Sequence, residues 1–169
     1  MKLRRLLVPV VAGCAIFGLA APAGASPPEM FSESGSSSEP GFVQCDGFAI
    51  DLETTTTEDV TVYFDETGEV VKFLVRTRAT DILTNSVTGK TVVNRGVFQL
   101  LGTRVEGTDE FTEALVGFQF IGTSPGEGLV LQDVGRTVFS PEGEIVFRAG
   151  QHKVPEGPEA EALFCAALS

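Results

Sequence analysis

The chain has 169 residues, with 12 basic against 23 acidic side chains and a formal net charge of −11. That balance argues against nucleic acid and anionic lipid surfaces as partners, because both repel an acidic protein. With no Trp and a single Tyr, Tyr63, the chain has little with which to stack on sugars.

Residues 1–25 read as an export signal that is removed. Lys2, Arg4 and Arg5 make a cationic start, Leu6 to Ala21 an apolar run, and Ala23-Gly24-Ala25 a small-residue cleavage box. Pro9 inside the run, and the polar stretch after it, argue against a permanent membrane span. Val11-Ala12-Gly13-Cys14 offers a competing reading as a lipobox, with the chain lipid-anchored at Cys14; the run continues apolar beyond Cys14, which favours secretion. Removal of the signal leaves 9 basic against 23 acidic residues, a net charge of −14 over 144 residues, a length that suits one domain with its own core.

Two cysteines then remain, Cys45 and Cys165. In an exported chain they are expected to pair, closing a loop across 120 positions. A metal site has little support, since His152 is the only histidine, and no cofactor motif is present.

Residues 26–41, SPPEMFSESGSSSEPG, have almost nothing to bury and read as a flexible leader. From 42 to 169 the chain reads as one β domain. Gly47–Glu53 and Glu58–Asp65 are extended, and the Thr54–Thr57 run between them suggests one long or bent edge strand. Asp65-Glu66-Thr67-Gly68 and Ser140-Pro141-Glu142-Gly143 share one turn grammar. Pairing from the first turn sets Tyr63 against Val71 and Thr61 against Phe73. Glu69–Leu83 follows, with Val71, Phe73, Val75 and Ala79 on one side and Lys72, Arg76, Arg78 and Thr80 largely on the other. Thr91–Val105, Phe111–Gly122 and the hairpin Gly128–His152 complete the strands. Glu159–Leu168 is a short helix or a last strand.

The expected fold is therefore all-β: an antiparallel meander closing into a barrel of about seven to eight strands. Pairing Ser140 with Glu144 places Phe139, Thr137, Gly135 and Asp133 opposite Ile145, Phe147, Ala149 and Gln151 on the inner face. Arg136 and Arg148, and Gln132 and His152, then share the outer face.

Two motif matches fail on chemistry. Gly122-Thr123-Ser124-Pro125-Gly126 has the spacing of a nucleophile elbow, but Pro125 has no N–H to donate to an oxyanion and a strand follows. Gly89-Lys90-Thr91 resembles the end of a phosphate loop, but the required upstream glycine is Thr84. Asp133, on the inner face, is the one carboxylate whose position invites a site, against the simpler reading that it is solvated or paired at the barrel mouth. Gly96, Gly102, Gly117 and Gly135, inside strands, read as bends that also leave room for a ligand.

Asn85-Ser86-Val87-Thr88-Gly89-Lys90, Asp133-Val134-Gly135-Arg136-Thr137-Val138-Phe139, Gly143 through His152 and Phe164-Cys165-Ala166-Ala167-Leu168 resemble a group of small secreted actinobacterial proteins of unassigned function. The resemblance covers most of Cys45 to Leu168 and brings no mechanism. The meander with a Gly-rich loop before a strand is similar, in architecture, to allene-oxide-cyclase and dirigent-type barrels, which guide hydrophobic intermediates; no active-site residue of theirs maps onto this chain.

These readings converge on a secreted binding module that holds a small apolar ligand in the barrel, with Asp133, Arg76, Phe139 and Phe147 as the ligand-binding candidates. The alternatives are a cyclase- or isomerase-like barrel enzyme, and a surface protein-interaction module without a small ligand. No catalytic residue is assigned.

Overall fold

The computed structural model describes residues Ser26–Val154 and Gly157–Ser169. The expected export signal and the lipobox at Cys14 lie outside the described residues. Seven strands, β1 (Glu29–Gln44), β2 (Ala49–Phe64), β3 (Val70–Asn85), β4 (Thr91–Arg104), β5 (Phe111–Ser124), β6 (Gly128–Phe139) and β7 (Ile145–His152), are followed by one helix, α1 (Pro158–Leu168). They form a single antiparallel sheet in which each strand pairs with its chain neighbours, in the order β1 to β7. The all-β meander is as expected. Among the described residues the sheet is open, with β1 and β7 as its two edges.

The first correction concerns the leader. Residues 29–44 form the edge strand β1, not a flexible tail, and the Thr54–Thr57 run is therefore one strand in from the edge. A Ser-rich strand needs no core to exist here. Its ladder bonds to β2 are supplemented by Ser32 donating to Asp59 (2.9 Å), Ser34 against Thr57 (3.1 Å), and the Gly41 amide donating to Asp51 (2.8 Å). Glu29, Glu33 and Glu39 put charge along this edge, which discourages unwanted pairing.

Both expected turns form. The Asp65 amide donates to Glu69 O (2.9 Å) and the Ser140 amide to Glu144 O (2.8 Å), with Gly68 and Gly143 at φ of 87° and 81°. Each turn is followed one residue later by a bulge that the sequence reading lacked. Tyr63 pairs with Lys72 rather than Val71, and Thr61 with Leu74 rather than Phe73. In the last hairpin Phe139 pairs with Ile145 as expected, but Val138 pairs with Phe147 and Thr137 with Arg148. One extra residue reverses every later side chain to the other face. Phe147 therefore moves outward, and Arg148, Gly150 and His152 move inward.

The core sits at one end of the inner face. Ile50, Leu83, Val92, Leu131 and Leu168 are exposed by 4% or less, and Leu163, Phe164 and Ala167 of α1 pack on them. Pro158 at the start of the helix has the fixed φ that a first turn accepts. The Cys45–Cys165 disulfide, with Cα atoms 5.6 Å apart, ties α1 to the turn between β1 and β2. The Asn85 side chain donates to the Leu168 carbonyl (3.0 Å), satisfying one of the carbonyls that a helix C-terminus leaves open. No helix among the described residues is long and apolar enough to cross a membrane.

The sheet is much longer than its cover. A strand of 16 residues spans about 53 Å at roughly 3.3 Å per residue, whereas an 11-residue helix spans about 16 Å at roughly 1.5 Å per residue. Thr77 and Thr137, mid-strand on the inner face and outside the cluster that α1 covers, are nonetheless 4% and 3% exposed. Burial of this kind, away from the helix, is what a sheet curved towards its inner face produces.

Candidate functional site

The register places Asp133 of β6 directly opposite His152 of β7. Asp133 Oδ1 lies 2.6 Å from His152 Nδ1, and His152 Nε2 lies 3.1 Å from the Ala149 carbonyl oxygen. Arg148 Nη2 is 3.7 Å from the other carboxylate oxygen. Both side chains of the pair are about a tenth exposed. Two acceptors thus face both ring nitrogens. A ring carrying N–H at both nitrogens satisfies the two contacts together; a neutral ring donates to only one.

The pair is built on glycine. Gly135 and Gly150 are opposite one another in the adjoining row. A side chain on Gly135 would run into the Ala149 carbonyl and approach His152 Nε2 to 2.7 Å. The missing Cβ lets β7 come close enough for the imidazole to seat between Asp133 and Ala149. With both nitrogens engaged, the ring has no free position from which to take a substrate proton, which general acid–base chemistry requires. The arrangement is a clamp joining the two last strands.

A second polar clamp lies on the same face. Asn94, 1% exposed, donates to Asp81 Oδ2 (2.7 Å) and accepts from the Ile121 amide (2.7 Å). It fills the gap in the β4–β5 ladder where the register shifts.

Towards the end of the sheet away from α1, the inner face becomes apolar. Val60, Val75, Leu100 and Leu115 form one cross-strand row that continues into Thr137 and Arg148. Val62, Phe73 and Phe139 belong to the next row, where the Phe73 ring lies over Gly102 and meets Phe111 at 5.4 Å between centroids. These side chains are half-buried, unlike the sealed cluster under α1.

A cavity of about 520 Å³ opens at this same end, lined by Asp65, Glu69, Val71, Thr103, Arg104 and Val105 among others. Arg104 bridges Glu69 (2.8 Å) and Asp109 (2.6 Å). The hydrogen bond to Glu69, with both carboxylate charges, raises its already high proton affinity. A second cavity of about 220 Å³ lies between β6 and α1, beside Leu129, Leu131, Lys153 and Leu163.

Of the four ligand-binding candidates from sequence, Asp133 and Phe139 share the inner face. Phe147 is half exposed on the outer face, carried there by the bulge. Arg76 is on the outer face as well, opposite Asp59 and Gln99. None of the four lines either cavity described above. His152 and Asn94 were missed as partners. The signal for His152 was a lone histidine at the same distance as Asp133 from two glycines that must meet; Asn94 left no readable signal. Among the described residues, no group of three or more His, Cys, Asp or Glu side chains is placed to hold a metal ion.

No protein-family model, curated protein or solved structure matches this chain.

Proposed function

We propose that the protein is an exported binding module that holds a small apolar ligand on the inner face of its coiled sheet. In this reading the sheet is a barrel left unclosed between β1 and β7, and that gap is the ligand's way in. The observation that carries the proposal is the mismatch between apolar face and cover. The inner-face alternation continues through Val60, Val75, Leu100 and Leu115, well beyond the cluster that α1 seals. Partly exposed apolar rows of this extent are stabilised by whatever displaces their remaining water, at roughly 25 cal/mol per Å² of apolar surface covered. The Asp133–His152 clamp supports binding rather than acid–base catalysis, since it uses up its own donors and acceptors.

The test is a titration with the apolar fluorophore N-phenylnaphthylamine, paired with native mass spectrometry before and after organic extraction. Saturable binding should weaken about tenfold, or roughly 1.4 kcal/mol, in Leu100→Glu and remain unchanged in Val97→Glu, its outer-face neighbour. A stoichiometric mass lost on extraction would identify the natural ligand. Unsaturable binding, or equal loss in both variants, would overturn the reading.

A further inference from the structure

The outer face of the sheet carries a second apolar area. Val97, Val116 and Phe118 are 55%, 41% and 49% exposed, and the register makes Val97 and Phe118 cross-strand partners, with Val116 beside them. Single exposed apolar residues are ordinary, but a contiguous exposed apolar patch rimmed by polar residues marks a contact surface. Here the rim is cationic. Arg76, Gln99, Val116 and Arg136 form one cross-strand row running from β3 to β6.

Arg76 and Arg136 flank the Gln99–Val116 pair in that row, and exposed Arg95 lies on the same face of β4. Arg78 holds Asp59 at 3.2 Å, and Arg104 holds Glu69 at 2.8 Å. Asp59 also faces Arg76 across the ladder, but its carboxylate is taken by Arg78 and by the Ser32 hydroxyl. Among the described residues neither Arg76 nor Arg136 has an ion pair, although acidic side chains outnumber basic ones 23 to 12.

The complementary surface is on β1. Glu29, Phe31 and Glu33 alternate on one face of this edge strand and are exposed, Phe31 at 41%. Their partners in β2, Val62, Val60 and Glu58, belong to the inner face. The two patches therefore lie on opposite faces of one sheet and cannot meet within a chain. Their spacings agree. Arg76 and Arg136 are three strand steps apart, about 14 Å at roughly 4.8 Å per step, and Glu29 and Glu33 are four residues apart, about 13 Å at roughly 3.3 Å per residue. Near-orthogonal crossing is one of the two ways in which sheet faces pack.

We propose that β1 of one copy docks across the outer face of β3–β6 of a second copy. Glu29 and Glu33 then pair with Arg76 and Arg136, and Phe31 lies on Val116. Because the two surfaces differ, the contact is head to tail. A face-to-face dimer through the outer face alone would set arginine against arginine.

Sedimentation velocity of the purified protein over a concentration series tests this. The wild type should self-associate, and less so at high salt, where exposed charge pairs are screened. Arg76→Glu/Arg136→Glu and Glu29→Lys/Glu33→Lys should each be monomeric alone. An equimolar mixture of the two should associate, because one keeps the acidic edge and the other keeps the arginines. Circular dichroism and melting confirm that each variant is folded, and Arg76→Gln/Arg136→Gln replaces the reversal if that one is not. A wild type that stays monomeric throughout, an arginine variant that still associates, or a mixture that does not recover association would each overturn the proposal.

Discussion

The Asp133–His152 clamp makes a prediction that separates a structural pair from two adjacent polar residues. Asp133→Ala leaves the imidazole with the Ala149 carbonyl alone and removes the carboxylate facing Arg148. Leaving a buried polar group without its partner costs about 1–3 kcal/mol, and more for a charged one; with one member a carboxylate and both about a tenth exposed, about 3 kcal/mol is expected. His152→Ala leaves the Asp133 carboxylate with Arg148 alone at 3.7 Å, so a loss of similar size, about 3 kcal/mol, is expected for it too. The double variant removes the stranded groups together and should lose only about 4 kcal/mol, which leaves a coupling of roughly 2 kcal/mol. Urea unfolding of the four proteins at neutral pH reads this directly, provided the m-values agree. A coupling below about 0.5 kcal/mol, the usual additivity error, would show that the pair does not hold β6 to β7 and would refute the clamp.

Three further outcomes follow from the same structure. Gly135→Ala should destabilise by about 2–3 kcal/mol, at the upper end of overpacking costs, because its Cβ meets the Ala149 carbonyl and the His152 ring; thermal unfolding checks it, and a neutral effect would mean that β6 and β7 separate at no cost. Cys45→Ser/Cys165→Ser should lose about 5 kcal/mol by the loop-entropy relation for a closure of 120 positions, read as a shift in denaturation midpoint that dithiothreitol reproduces in the wild type. Acid should loosen β1 and the turn between β2 and β3. Asp59 is held below the usual carboxylate range by Ser32 and then Arg78, and Asp65 by Thr67 and then the Glu69 amide. The folded state therefore binds these protons less readily than the unfolded one, so their stabilisation is present above the ordinary carboxylate value and is lost as pH falls through the lowered values. Asp59→Asn should flatten the fall in urea midpoint across that acidic range; an unchanged fall would dismiss its part.

What could be read from sequence was local. Alternation along Val71–Thr80, the two turns ending at Gly68 and Gly143, and the pairing of Cys45 with Cys165 each depend on a few neighbouring residues or on counting. Register was not local. The bulge one residue beyond each turn has no composition signal, since Val71 and Val146 are good strand residues whether paired or bulged. That single displacement moved Phe147 out, His152 in, and turned an apparently unpartnered Asp133 into half of a clamp. The leader failed for a different reason. Low hydrophobicity predicts that a segment cannot form a core, but β1 forms none; it borrows its order from the β2 ladder and from Ser32, Ser34 and Gly41.

The length of the strands gives these features a common cause. The hairpins continue beyond the reach of an 11-residue helix, so among the described residues the turns at the far end of the sheet lie outside the cluster that α1 covers. One end is sealed by α1 and the disulfide, where Ile50, Leu83 and Val92 are almost fully buried. At the other, the same alternation of side chains yields apolar rows on the inner face, and on the outer a row that carries Arg76 and Arg136 without an ion pair among the described residues. A sheet selected only to fold would stop where its cover stops, because each further pair of residues adds ordering entropy of roughly 1–2 kcal/mol per residue with little burial to offset it. Strands that run on gain from any further contact that covers them. The inner rows and the Arg76–Arg136 row are the two surfaces on which the structure offers one, and since they lie on opposite faces, Leu100→Glu and Arg76→Glu/Arg136→Glu can remove them one at a time.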